Sequence, residues 1–129
     1  MEKLFKNFEF NENTKYKIKE INSQKLPDDY LEFMEKYNGG TGPVGRNSYM
    51  HFVKLEELIE YNKDCEINEW LPNCFCFGGD GGGNQFCYNF LTKEYFAVDS
   101  CAIDKNDNFC RSSSLLEFII AWDNTFEDI

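Results

Sequence analysis

The sequence has few of the residues on which catalytic and metal sites depend. A single histidine, His51, stands among 129 residues, and the six cysteines include no Cys-x-x-Cys pair. A cysteine–histidine nucleophile would have to use His51 alone, and zinc sites draw on closely spaced thiolates or several imidazoles. We therefore expect no enzyme activity, no metal and no cofactor. The enzyme alternative would need His51 in a pocket, within hydrogen-bond reach of an acid or a thiol.

Long apolar runs and an excess of basic charge are missing as well. No stretch reaches the ~18 apolar residues of a membrane-spanning helix, and the amino terminus has no apolar signal core. The chain carries 13 basic and 23 acidic residues, a net charge of −10, which repels phosphate backbones and anionic lipids. We expect a cytoplasmic protein that binds neither membranes nor nucleic acid directly. The same charge either attracts a basic protein partner or only keeps the chain in solution.

Two patterns that would indicate a small ligand are incomplete. The glycine-rich segment 78–83 is followed by Asn84, so it has neither the Gly-Lys-Ser/Thr of a phosphate-binding loop nor the third glycine of a dinucleotide-binding loop. A calcium-loop pattern starts at Asp104, but Phe109 takes the place of its glycine and Leu115 that of its bidentate glutamate. The glycine-rich segment is therefore interpreted as a hairpin turn.

Aromatic residues, in contrast, make up 17% of the chain and indicate a well-packed core. Segment 74–99 has the pattern of three strands, in which Phe75 and Phe77 alternate with Cys74 and Cys76. Successive side chains of a strand point to opposite faces, so we expect both faces of this part of the sheet to be at least partly buried. Here the cysteines act as small apolar core residues.

Two helices have clear sequence signals at their ends. Pro27 suits the first position of a helix that glycines at Gly39 and Gly40 terminate. Ser114 and Glu117 form a capping-box pattern at the start of a last helix. Both segments repeat apolar residues at helical spacing, which predicts that each helix packs one face on the core.

Shorter elements complete an α+β plan in one domain over residues 1–129. A helix from Asn13 to Ile21 is favoured over a strand, because Ile18 and Ile21 would share one side. A strand over 49–53 precedes a helix over 55–61, in which Leu58 and Ile59 are expected to face inward and Glu56, Glu57 and Glu60 outward. Another short strand is expected near residue 109.

Three sequence blocks in this order resemble the SUKH superfamily, a group of bacterial immunity proteins and yeast cell-wall-synthesis regulators. The resemblance covers about residues 18–122 and rests on the following residues: Leu26-Pro27 with Tyr30, Phe33 and Asn38-Gly39-Gly40; Phe77-Gly78-Gly79-Asp80-Gly81-Gly82-Gly83 with Phe86; and segment 114–118.

The resemblance implies a central, mostly antiparallel sheet of about five to six short strands flanked by helices. For bacterial members it implies a non-enzymatic role, in which the protein binds and neutralises the toxin domain of a polymorphic or contact-dependent toxin, often a nuclease. The alternative is an intracellular scaffold or regulatory module of the cell-wall-regulator type. The motif positions carried over are Pro27, Gly39, Gly40, Gly78, Asp80, Gly82 and Gly83, and they are expected to be structural as much as functional.

Charge connects this resemblance to a mechanism. A nuclease presents a basic cleft to its substrate, so an acidic inhibitor would be steered to the cleft and could fill it with carboxylates. We expect a basic cognate toxin, which exposed residues beside turns would contact. The candidate contact residues are Asp80, Glu94, Tyr95, Asp104 and Asp107.

Overall fold

An antiparallel sheet forms the middle of the molecule in the computed structural model, which describes residues 2–99 and 109–125. Within these residues, seven strands make one sheet in the order β1-β4-β5-β6-β7-β8-β9, and β2 and β3 form a separate hairpin. The strands are β1 (Glu9–Phe10), β2 (Glu20–Ile21), β3 (Gln24–Lys25), β4 (Gly40–Val44), β5 (Ser48–Phe52), β6 (Cys74–Gly79), β7 (Asn84–Asn89), β8 (Glu94–Asp99) and β9 (Phe109–Ser112). The helices are α1 (Asp28–Tyr37), α2 (Leu58–Asp64), α3 (Ile67–Trp70) and α4 (Leu115–Asn124), with short 3-10 helices at Glu2–Phe5 and Leu55–Glu57.

The α+β class and the antiparallel sheet are confirmed, but the sheet is larger than the five to six strands expected. Two of the seven strands, β1 and β4, are not among those predicted from the sequence, and β1 has only two residues, Glu9 and Phe10, which pair with β4. A strand this short is set by its partner, because two residues carry no detectable period. No helix within residues 2–99 and 109–125 is long and apolar enough to cross a membrane.

Both faces of the central strands are buried, as the alternation predicts. Phe75 and Phe77 lie in the larger core, with buried residues of α1 and α4. Cys74 and Cys76 lie on the opposite face, in a smaller cluster that includes Ile67 of α3. The sheet is therefore covered by α1 and α4 on one face and by α2 and α3 on part of the other.

Helix α1 begins where the sequence predicts, with Pro27 as its N-cap at φ −65°. At its other end Asn38 takes the left-handed conformation, with φ 56°, before Gly39. The buried Asn38 side chain accepts a bond from the Leu55 backbone N–H at 2.9 Å and donates to Glu56 at 3.0 Å. A side chain at Gly39 would bring its Cβ within 2.6 Å of the Phe52 carbonyl oxygen, so glycine is needed for close approach to β5.

Helix α4 confirms the capping signal, because the Ser114 hydroxyl accepts the Glu117 backbone N–H at 3.1 Å. Asp29 of α1 connects the two helices. Its carboxylate accepts the Leu115 backbone N–H at 2.7 Å and the Tyr95 hydroxyl at 2.5 Å. One carboxylate thus joins α1, β8 and α4.

Two local predictions are wrong. Residues 11–19 form neither a helix nor a strand, and only Ile21 of the proposed apolar side is buried, within the β2–β3 hairpin. Ile59 is 39% exposed, whereas Leu58 is fully buried. The inward position beside Leu58 is instead taken by Asn62, which is buried through hydrogen bonds to the backbone.

Candidate functional site

Asp80, the first of the predicted contact residues, organises the glycine-rich turn between β6 and β7. Its carboxylate accepts the backbone N–H groups of Gly82 at 2.8 Å and Asn84 at 3.0 Å, and the Asn84 side-chain amide at 2.8 Å. Partial burial acts to raise the pKa of Asp80, but the bonds from Asn84 and Gly82 outweigh it and hold the pKa below its usual value. The carboxylate is charged and already bonded within its own turn.

Glu94 and Tyr95 lie at the opposite end of β7 and β8 from Asp80. Asn84 pairs with Asp99 and Asn89 with Glu94, so the two predicted acids are separated by about 17 Å of strand. Glu94 is half-buried and forms an ion pair with Arg111 of β9 at 2.9 Å. These two acids lie at opposite ends of the same pair of strands, and their contact with a partner stays a prediction.

Tyr95 is fully buried, so its place among the exposed contact residues is a wrong prediction. Burial raises the pKa of its hydroxyl, and the bond to the Asp29 carboxylate raises it further. The residue follows a polar turn, which suggested exposure, but its position in β8 points it into the core. Asp104 and Asp107 lie outside the described residues.

A different surface brings charged and aromatic side chains together. On β5, Met50 and Phe52 are fully buried, whereas Tyr49 and His51 alternate with them and are exposed. Thr41 of β4 pairs directly with His51, and its hydroxyl lies 2.9 Å from the Tyr49 hydroxyl. We call Thr41, Tyr49 and His51 the open face, because α2 and α3 cover only the neighbouring part of this side of the sheet.

Three carboxylates border the open face. Glu57, Glu60 and Asp64 follow one another at helical spacing along the segment 57–64, and with His51 and Tyr61 they line an open cleft of about 300 Å³. We call these three residues the acidic wall. No lysine or arginine of the described residues lines this cleft.

The cleft continues toward the glycine-rich turn. A second depression of about 290 Å³ shares His51 and Tyr61 and is otherwise lined by backbone of Gly79, Gly81 and Gly83 and by Asn84 and Gln85. A Cβ built at Gly81 would lie 4.0 Å from the Tyr49 ring, its nearest neighbour. Because glycine has no side chain, the backbone at this border leaves the open face accessible.

Tyr61 fixes the acidic wall against the sheet. Its hydroxyl donates to the Gln85 side-chain carbonyl on β7 at 2.5 Å. Burial, with smaller contributions from Cys65 and Cys76, raises the pKa of Tyr61 above its usual value. The residue is thus a neutral, positioned donor beside the three carboxylates.

His51 lines the cleft beside the three carboxylates of the acidic wall. Among the described residues, no hydrogen bond joins the His51 imidazole to an acid or a thiol, and no group of three histidine, cysteine or acidic side chains is arranged to hold a metal ion. What the cleft offers is negative charge, two tyrosines and an accessible imidazole. These groups suit the recognition of a basic surface.

The sequence contained a signal for the acidic wall that the contact prediction missed. Glu57, Glu60 and Asp64 are spaced to share one side of a helix, and Glu57 and Glu60 were expected to face outward. The sequence did not show which surface these acids border, because that depends on how α2 packs against the sheet.

Comparison with known proteins gives a family match over most of the chain. A model of the SMI1 / KNR4 family (SUKH-1) matches residues 15–121. No curated protein matches the chain.

Proposed function

The chain belongs to the SMI1 / KNR4 family (SUKH-1), and from this premise we propose that it is a non-enzymatic immunity protein. It binds a basic protein toxin, for which a nuclease domain is the best candidate, and neutralises the toxin by covering its substrate-binding surface. Membership of the family is consistent with immunity and with regulatory roles. The observation that favours immunity is the acidic wall beside the open face.

Charge supports a basic partner. The acidic wall places Glu57, Glu60 and Asp64 along one cleft, all three exposed, in a chain of net charge −10. A nuclease must present positive charge wherever it holds the phosphate backbone. Three carboxylates spaced along a helix would meet those positive groups, and the net charge would raise the rate of encounter.

Aromatic side chains give the same surface a means of tight contact. Tyr49 is 46% exposed on the open face, and Tyr61 is half-buried at the foot of the acidic wall. Tyrosine is enriched in interface hot spots, because it buries a large area with few rotatable bonds and keeps a hydroxyl for hydrogen bonding. We propose that Tyr49 is the anchor and that the acidic wall sets orientation.

The test compares two double variants with the same change of charge. Glu57→Gln with Glu60→Gln neutralises part of the acidic wall, while Glu32→Gln with Glu35→Gln neutralises two exposed acids at the same spacing on α1, on the other side of the sheet. Binding to candidate toxin nuclease domains, first identified by co-expression and pull-down, is measured by surface plasmon resonance at low and high salt.

We expect the acidic-wall variant to lower affinity about tenfold, mainly through slower association, and the α1 variant to change it by less than about twofold. Equal losses in both variants would attribute binding to net charge alone and contradict the proposed surface. A partner that binds through this surface and has no toxic activity would support the regulatory alternative.

A further inference from the structure

Cys76 and Cys87 form a close pair of thiols in the smaller core. They are directly opposite each other on the antiparallel strands β6 and β7, and their Sγ atoms are 2.7 Å apart. Both side chains are essentially unexposed. Nothing in the proposed binding function uses this pair.

The backbone geometry favours a bond between them. The N–H and C=O groups of Cys76 both bond to the side chain of Asn62, at 2.7 and 2.9 Å. Cys76 therefore does not exchange backbone bonds with Cys87, and the two form the non-hydrogen-bonded type of cross-strand pair, whose Cα atoms lie about 4.5 Å apart. This separation is within the range that a disulfide spans, and the sulfur atoms need to approach by only about 0.65 Å.

We propose that Cys76 and Cys87 are a redox-sensitive dithiol that a hydroperoxide converts into an intramolecular disulfide, and that this bond alters the helix carrying the acidic wall. One thiol releases its proton, and its thiolate sulfur attacks one oxygen of hydrogen peroxide, so that the O–O bond breaks. The sulfur becomes a sulfenic acid, and the hydroxide that leaves takes up the released proton to form water. The second thiol attacks that sulfur, the S–S bond forms and a second water leaves. Two thiols are oxidised, one hydrogen peroxide is reduced to two waters, and a thiol reductant reverses the change.

Burial sets the rate of this reaction. Ile67 and Leu71 pack over the pair, and burial raises the pKa of Cys87 well above its ordinary value, with a further increase from its bond to Cys76. Because the thiolate is the reactive form, oxidation proceeds through transient opening of α3. Slow oxidation in the folded protein and faster oxidation in mild denaturant are both expected.

Asn62 connects the pair to the acidic wall. It lies on α2 between Glu60 and Asp64, and it binds the same peptide groups of Cys76 that must move when the sulfurs bond. A shift of Cys76 therefore reaches α2 through two hydrogen bonds. Both the disulfide and its effect on α2 are measured without any partner, so the outcome is independent of the proposed function.

The test treats the full chain with hydrogen peroxide under mild denaturant, removes both, and maps disulfides by peptide mass spectrometry. We expect a Cys76–Cys87 disulfide, which lowers the mass of the linked peptides by two hydrogen atoms and disappears on reduction. It should form in the wild type and in Cys74→Ala, whose cysteine is buried in the same cluster, and be absent in Cys87→Ala. Links among other cysteines, or an unoxidised pair in the wild type, would overturn the proposal, and neither result depends on the variants folding.

Hydrogen exchange tests the coupling. Backbone amides of α2 in the oxidised protein should change their exchange rates by about twofold or more relative to the reduced protein, while those of α1 stay the same. Identical exchange in α2 would overturn the link to the acidic wall.

Discussion

Replacing Asn62 with alanine removes the side chain that completes one edge of β6. Strand β5 pairs with β6 only at Gly78 and Gly79, so the earlier residues of β6 have no strand on that side. Asn62 takes the place of a strand there, because its amide accepts the Cys76 N–H and donates to the Cys76 C=O. The residue is 4% exposed, so water does not compete for these groups.

The cost follows from the two backbone groups left without partners. Each buried, unpaired group lowers the free energy of unfolding by about 1–3 kcal/mol, and the higher helix propensity of alanine raises it by about 0.5 kcal/mol. We expect Asn62→Ala to lower the free energy of unfolding by about 3 kcal/mol, out of the 5–15 kcal/mol typical of a domain. Because α2 loses its two hydrogen bonds to Cys76 and keeps the Tyr61–Gln85 bond, binding through the acidic wall should weaken as well.

Urea denaturation followed by tryptophan fluorescence measures this difference, since Trp122 is buried in the larger core. The matched control is Asn68→Ala on α3, which removes one exposed bond to Asn22 and should change stability by less than about 0.5 kcal/mol. If Asn62→Ala were no more destabilising than Asn68→Ala, the role of Asn62 as a substitute strand would be refuted.

Three further predictions concern the core. The Tyr30 hydroxyl has no hydrogen-bond partner among the described residues, so Tyr30→Phe should raise the free energy of unfolding by about 1 kcal/mol. Tyr95→Phe leaves Asp29 with one hydrogen bond fewer and should lower the free energy of unfolding by about 2 kcal/mol. Urea denaturation measures both changes. Burial raises the folded-state pKa of Tyr30 and Tyr95 above the ordinary value of 10.0, so the unfolded chain releases these protons first. The free energy of unfolding therefore keeps this contribution in full below about pH 10 and loses it as the pH rises further. Phenolate absorbance should appear together with loss of circular dichroism. A Cβ at Gly78 would overlap a carbonyl oxygen of β5, while a Cβ at Gly82 meets nothing closer than 3.6 Å. Gly78→Ala should therefore lower the free energy of unfolding at least 3 times as much as Gly82→Ala, on the order of 3 kcal/mol against under 1 kcal/mol. Thermal melts measure the difference.

The fold was most predictable where several local signals agreed. At α1, Pro27, the terminating glycines and the apolar spacing all indicated the same helix, and at α4 the Ser114 cap did so too. The alternation in β6 gave both buried faces correctly, because a strand covered on two sides needs apolar residues at every position. Where apolar residues were sparse, as over 11–19, a single possible period was not enough to define a helix.

The candidate site was less predictable because it depends on contacts between distant segments. Tyr95 follows a polar turn, yet it is buried because Asp29, 66 residues earlier, accepts its hydroxyl bond. Asp80 looked like an exposed acid, yet its own turn uses its oxygens. The spacing of Glu57 and Glu60 was visible in the sequence, but the open face beside them required knowing where β5 ends.

The end of β5 explains why a cleft exists at this place. Since β5 stops at Phe52, the edge of β6 near Cys76 would be left without partners, and α2 is drawn to it through Asn62. The helix therefore lies at the border between the covered and the uncovered parts of the sheet. A helix fixed by one side must turn its polar side to solvent, and at this border that side faces the open face. The residue that completes the sheet thus also positions the acidic wall, so stability and partner binding should decline together along a series of Asn62 substitutions.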